Sequence, residues 1–419
     1  MSSQIQDSLI TITTLSTPLL HSSSSSPSRT SCDNNSDESP TNSFNFNNIS
    51  RLPISSPLPP LAYKSLAALS DHIGSVSCLS LCGEFILSAS QGNDIIVWQQ
   101  PDLKKFAKFG HGDGCVKALV SYGNRVFTAH QDCKIRVWKV SKSSENVFRL
   151  IGTLPTTKDY FGKFMKQSNY FPTRRHHKRL WIEHADSISC LAVSNGLIYS
   201  GSWDKTLKVW NMSDFKCLES IKAHDDAING LVAKNGSVYS SSADGKIKVW
   251  GKEGKSEVHC LKGILEGHKD ISLNSVVVSE NGRFVYGGGS DGFVMGWLEN
   301  KGLDSWKLVC EVKAHRMAVL CVCLMGDDDQ LLCSGSTDAS ICVWRRGSGG
   351  GLSRHVVIKG HDGPVKCLQA SPVRVGGGGY LLYSGSLDKS LRVWWIPKVE
   401  NDDDASLVQI RKRNCAVLF

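Results

Sequence analysis

At 419 residues, with 41% hydrophobic and 21% charged residues and a net charge of +9, the chain can bury a large core. No apolar run approaches the ~18 residues that cross a bilayer, and the N-terminus lacks the basic start, apolar stretch and small-residue cleavage site of a secretory signal. The 15 cysteines, an odd number scattered singly (Cys78, Cys190, Cys367), argue against a disulfide scaffold and for reduced thiols in cytoplasm or nucleus.

Residues 1–58 read as a disordered tail: Ser22–Ser26 stand in a row among Asn and Pro, with low hydrophobicity and no periodicity. A Ser-rich transit peptide is the alternative, and Asp7 and the acidic "CDNNSDES" count against it. Ser26, Ser39 and Ser56 each precede proline and could accept proline-directed phosphate. "AYKSLAAL" (62–69) then stands alone, as a strand with no partner nearby.

From residue 59 to 398 one unit recurs seven times. "SGSWDKTLKVW" (200–210) aligns with "SASQGNDIIVW" (88–98), "TAHQDCKIRVW" (128–138) and "SSSADGKIKVW" (240–250). It aligns equally with "GGGSDGFVMGW" (287–297), "SGSTDASICVW" (334–344) and "SGSLDKSLRVW" (384–394). The closing tryptophans are spaced 40, 72, 40, 47, 47 and 50, and each unit opens on a histidine: 72, 111, 184, 224, 268, 315 and 361. Short alternating runs such as "SISCLAV", "GLIYSGS" and "TLKVW", separated by turns, are strands, and "KCLESIKA" is a weaker fourth. A four-stranded sheet cannot bury both faces alone, so seven of them stack into a ring. The seventh unit lacks an obvious fourth strand, and residues 62–69 can supply it and clasp the ring shut.

These repeats resemble the WD40 family over roughly residues 60–396, which implies an all-β, seven-bladed propeller. The resemblance further implies a buried chain of histidine, hydroxyl, turn aspartate and tryptophan in each blade. The full sets are His111/Thr128/Asp132/Trp138, His184/Ser200/Asp204/Trp210, His224/Ser240/Asp244/Trp250, His315/Ser334/Asp338/Trp344 and His361/Ser384/Asp388/Trp394. Gly92 replaces the aspartate in the first unit and Gly287 the hydroxyl in the fifth, so those blades should be weaker.

The spacing of 72 places an insertion, residues 155–182, between blades 2 and 3. It carries Lys158, Lys163, Lys166, Arg174, Arg175, Lys178 and Arg179 against Asp159 alone, seven minus one being six of the chain's net nine positive charges. Thr156 with Asp159 can cap a short helix on which Phe161, Phe164 and Met165 share one face, with Tyr160 and Trp181 as further candidate contact residues. The topology sends the insertion toward the rim that carries the turn aspartates. There it would cover Trp203, or merely pin itself down with its aromatics; "RRHHKR" also reads as a nuclear import signal. "FRLIGTLPTTKDY" and "NYFPTRRHHKRLWIEHADSISCL" resemble the plant JINGUBANG-type branch of WD40 proteins, which implies a regulator of cytoplasm and nucleus in growth or pollen control.

Family partners usually touch the residue before the turn aspartate and one inside the first strand. Here that selects Gln131, Trp203, Leu387, Lys117, Asn229 and Lys366 with the insertion's basic and aromatic residues. The expected partner is a protein, such as an acidic segment or a transcription regulator, bound by a monomeric propeller. Nucleic acid is disfavoured because no wider basic surface shows in the blades. "GKEGKS" (251–256) lacks the glycine spacing of a phosphate loop, and no nucleophile elbow or metal-spaced cluster occurs. No catalytic residue, metal or cofactor is therefore expected. A cullin-4 substrate receptor is the runner-up, although none of the seven tryptophans is followed by the aspartate that such receptors typically carry. Residues 399–419 read as a tail with a short basic "IRKRNC".

Overall fold

The computed structural model describes residues 63–110, 114–141, 147–163, 166–174, 177–254, 256–300, 305–371 and 378–398, and the backbone alone at 162, 171–174, 177 and 178. The expectations for residues 1–58 and 399–419 lie outside the described residues. Seven four-stranded antiparallel sheets form a seven-bladed propeller. Their innermost strands are Val76–Cys82, Val116–Tyr122, Ile188–Ser194, Ile228–Lys234, Leu273–Val278, Val319–Met325 and Val365–Ala370. Each touches the next, and the last returns to the first.

The core lies between blades. Short Val/Ile/Leu runs on the second and third strands are buried on both faces, as sandwiched sheets require. Small residues let neighbouring blades approach: a Cβ on Gly385 would stand 2.5 Å from Val76 and 2.7 Å from Cys367. Among the described residues the cysteines are free thiols, most of them buried in these seams.

Two irregularities recur around the ring. On the inner strands, one extra residue bulges at Ser77, Lys117, Ser189, Asn229, Asn274 and Lys366 among others. Several of these reach the next blade: Ser77 Oγ donates to Val116 O (3.0 Å), Asn229 Nδ2 to Leu273 O (3.1 Å) and Asn274 Nδ2 to Val319 O (2.8 Å). On the outer strands, one extra residue sits opposite each closing tryptophan: Phe106, Ile151, Leu218, Lys262, Val309 and His355.

The strand Lys64–Leu69 completes blade 7 by pairing with Leu391–Pro397, and it repeats the outer bulge at Leu66, opposite Val393 and Trp394. Its Tyr63 ring meets Trp394 edge-on at 6.1 Å. The ring is thus closed by an N-terminal strand that matches the other six outer strands in register detail.

Candidate partner-binding rim and insertion

In blade 3, His184 Nε2 lies 2.8 Å from Ser200 Oγ and Nδ1 3.0 Å from Asp204, while Trp210 Nε1 donates to Ser200 Oγ at 2.9 Å. Blade 4 repeats this through His224, Ser240, Asp244 and Trp250 at 2.7, 2.8 and 2.9 Å. Blades 6 and 7 do so through His315, Ser334, Asp338 and Trp344, and His361, Ser384, Asp388 and Trp394. The first serine and the tryptophan share a strand-pair face because their side chains alternate in step. Each aspartate also accepts a backbone N–H from the incoming loop, as Ala185 donates to Asp204 at 2.7 Å. Burial pushes His184, His315 and His361 below the ordinary imidazole value. Burial alone would raise the aspartates. Their hydrogen bonds and histidine partners outweigh it, holding Asp244 and Asp388 at about 2 and Asp204 lower still.

Three blades differ. In blade 1, where Gly92 stands for the aspartate, His72 Nε2 and Trp98 Nε1 both lie 2.8 Å from Ser88 Oγ, and burial drives His72 to about 4. In blade 2 the set implied by resemblance is rewired, and His111 lies outside the described residues. Thr128 takes Trp138 Nε1 (3.0 Å) but pairs with His130 Nε2 (2.8 Å), and Asp132 turns to the buried Arg136 at 2.5 Å. The cause is local: Thr-Ala-His replaces Ser-Gly-Ser, so an imidazole stands two residues from the hydroxyl on the same strand face. In blade 5 Gly287 offers no hydroxyl. His268 turns Nε2 to Glu311 (3.0 Å) while Nδ1 keeps Asp291 (2.5 Å), so its pKa rises, chiefly through the Asp291 hydrogen bond.

These networks fix the turns of one rim. Trp203, one residue before Asp204, is 45% exposed, and Lys117 of blade 2 places Nζ 5.6 Å from its ring centroid. Two residues singled out separately in the sequence therefore form one cation–π pair. Gln131, Lys366 and Leu387 are exposed. Asn229 is half-buried, and its side-chain N–H group donates to Leu273 O and Ser272 Oγ across a blade seam. Sequence reasoning missed Ile73 and Met317, exposed apolar residues on the loops just past His72 and His315. Apolar residues one and two positions after His72 and His315 were their only signal in the sequence.

The described helix of the insertion packs on the outer strand of blade 3, Arg179 reaches the loop entering that blade, and Trp203 is left 45% exposed. A helix, Thr157–Lys163, is capped by Thr156 Oγ1, which accepts from Asp159 N at 3.2 Å. A hairpin follows, pairing Tyr170–Arg174 with His177–Leu180. The helix occupies the edge of blade 3's outer strand, Cys217–Lys222: Asp159 Oδ2 accepts from Cys217 N (3.3 Å) and Lys163 Nζ donates to Cys217 O (3.5 Å). Tyr160 donates to Glu183 (2.7 Å), Lys163 sits 3.8 Å over the Trp181 ring, and Arg179 donates to His184 O (2.7 Å). Lys208, 1% exposed, donates to Trp181 O (2.5 Å) and Ser220 Oγ (2.6 Å) beneath it. The physical reason for this placement is the open backbone edge of blade 3, whose Cys217 N–H and C=O take Asp159 and Lys163 as partners. Phe161 projects outward, 74% exposed. Phe164 and Arg175 lie outside the described residues, as do the side chains of Arg174 and Lys178.

The profile described as "WD domain, G-beta repeat" matches residues 63–99, 103–139, 176–211, 215–251, 259–297, 306–345 and 353–394. The chain belongs to the WD40 family. It is similar to an F-box/WD-40 repeat-containing protein of Arabidopsis thaliana, 26% identical over 38% of this chain and 26% of the relative. It is also similar to an Arabidopsis thaliana WD repeat-containing protein 26 homolog, 28% identical over 25% and 17%. Schizosaccharomyces pombe WD repeat-containing protein pop1 matches at 24% over 38% and 23%. The chain thus spans about a quarter or less of the length of these relatives. WD40 propellers are non-enzymatic scaffolds for protein interaction, and no helix among the described residues is long and apolar enough to cross a membrane.

Proposed function

We propose that this WD40 chain is a regulatory adaptor whose protein partner seats on the Asp-bearing rim at blades 2 and 3. The observation that carries this reading is the Trp203–Lys117 pair: a large, half-exposed indole with an ammonium over it, held on a turn anchored by Asp204 and His184. Tryptophan is among the residue types that carry most of the binding energy at protein interfaces. Lys117 and the exposed Lys366 favour an acidic partner segment carrying an apolar side chain, as on a transcription regulator. The plant-type insertion sequences support a growth- or pollen-related role in cytoplasm and nucleus. The test is affinity purification with wild type and Trp203→Ala: loss of partners at unchanged melting temperature is expected, and retention of every partner overturns the reading.

A second reading, a ubiquitin-ligase substrate receptor, is supported by the F-box/WD-40 name of one relative. Cullin or damage-binding subunits in the same purification would promote it. Salt-sensitive RNA or DNA retention would instead favour nucleic-acid association through the basic insertion.

A further inference from the structure

On the face opposite the Asp-bearing turns, the first hairpin turns of blades 3 and 4 meet the third and fourth strands of blades 4 and 5. They border a cleft of about 600 Å³, within the ordinary size of a small-molecule site. Two perpendicular ring pairs line it. Tyr199 and His259 stand 5.5 Å apart at 88°, and Tyr239 and Trp306 6.1 Å apart at 89°.

The first pair is a fixed wall. His259 Nδ1 lies 2.8 Å from Glu219 Oε1, and its backbone N donates to Glu219 Oε2 at 2.9 Å. With Nδ1–H given to the carboxylate, Nε2 accepts from the Tyr199 hydroxyl at 3.2 Å. Glu219 spends its oxygens on His259 in this way, and its charge stays behind the ring, with 11% of the side chain exposed.

The second pair is the more open one. Trp306 is half-buried and lies across Gly263, where a Cβ would stand 2.9 Å from the indole nitrogen. Only glycine lets the ring rest on blade 4's outer strand, and one part of the indole stays open to the cleft. Between blades 5 and 6 the corresponding tyrosine is closed off by the chain itself, Tyr286 donating to Gly350 O at 2.8 Å.

Three charged side chains complete the lining: Lys252, Lys262 and Glu299. Both lysines are less exposed than the glutamates they pair with, Glu257 (95% side-chain exposure) and Glu253 (69%). Such exposed pairs are weak and exchange readily with an incoming anion. The cleft therefore offers two ammonium groups to an anion, an indole to a planar ring and one carboxylate to ring N–H donors. We propose that it binds a purine nucleoside monophosphate, with phosphate on Lys252 and Lys262, the base against Trp306 and a base N–H toward Glu299.

The site lies away from the Trp203 rim, and the proposal stands independently of the adaptor reading. Calorimetric titration of the full chain with GMP and with AMP should show saturable binding of at least one, with Kd below about 1 mM. Lys252→Gln/Lys262→Gln should weaken it at least about tenfold without moving the melting temperature, and the bound nucleotide should change tryptophan fluorescence in wild type but not in Trp306→Leu. Trp203→Ala should bind nucleotide as wild type does. Absence of saturable binding, equal binding of inorganic phosphate alone, or unchanged affinity in the double lysine variant would overturn the proposal.

Discussion

Ser200 shows how much one hydroxyl can hold. It is fully buried and meets both His184 Nε2 and Trp210 Nε1 within 3 Å. Ser200→Ala leaves two buried polar groups without their partner, at a cost of about 1–3 kcal/mol, measurable as a lower denaturation midpoint in urea. Protonation probes the same networks. Burial holds His72 and His130 at about 4, so on acidification the unfolded chain takes up these protons first. Their stability contribution is complete above pH ~6.5 and falls between ~6.5 and ~4, by at most about 1.4 kcal/mol per pH unit for each group. His268 runs the other way: with its pKa raised by Asp291 and Glu311, its contribution is full below the unfolded value and is lost as pH rises through the folded one. Urea midpoints from pH 7.5 to 5 should therefore fall in wild type, and His130→Gln should flatten the slope. A slope unchanged by that substitution would show that His130 is not one of the groups responsible.

At the scale of elements, the insertion behaves as a brace. Asp159 and Lys163 satisfy both backbone groups of Cys217, and the segment covers the buried ammonium of Lys208. Asp159→Ala should cost about 1–2 kcal/mol by leaving the Cys217 N–H unsatisfied and removing the buried carboxylate. Deleting 156–181 should lower the melting temperature clearly, since it uncovers Lys208 and takes away its Trp181 acceptor. Equal melting of deletion and wild type would refute the brace. The helix cap at Thr156 was legible because capping is local in sequence. The docking place was not. It depends on which backbone edge lies unpaired and on Asp159, readable from sequence as part of the helix cap, whose second contact, to Cys217, only the fold reveals. Likewise the repeating His, Ser, Asp and Trp positions announced blades 3, 4, 6 and 7. The swap of His130 for a serine hid its consequence until its ring was seen against Thr128. The lysine pair with Trp203 required the neighbouring blade.

For the whole molecule, closure is the decisive feature, because every blade buries its faces only against its neighbours. The strand Lys64–Leu69 reproduces the outer-strand bulge of the other six blades, and Leu66, Ala67 and Leu69 pack between blades 7 and 1. A chain beginning at His72 loses that strand, bares the Leu391–Pro397 edge and removes Tyr63 from Trp394. Because blade 7 and blade 1 then lose their shared cover, the loss spreads round the ring instead of staying local. A cost above about 4 kcal/mol is expected, the range reserved for loss of a core element. A synthetic peptide of residues 60–71 should raise the melting temperature of the shortened chain when added in trans, and a peptide with Leu66→Asp should not. A shortened chain that melts with the full-length protein would show that the ring closes without its clasp.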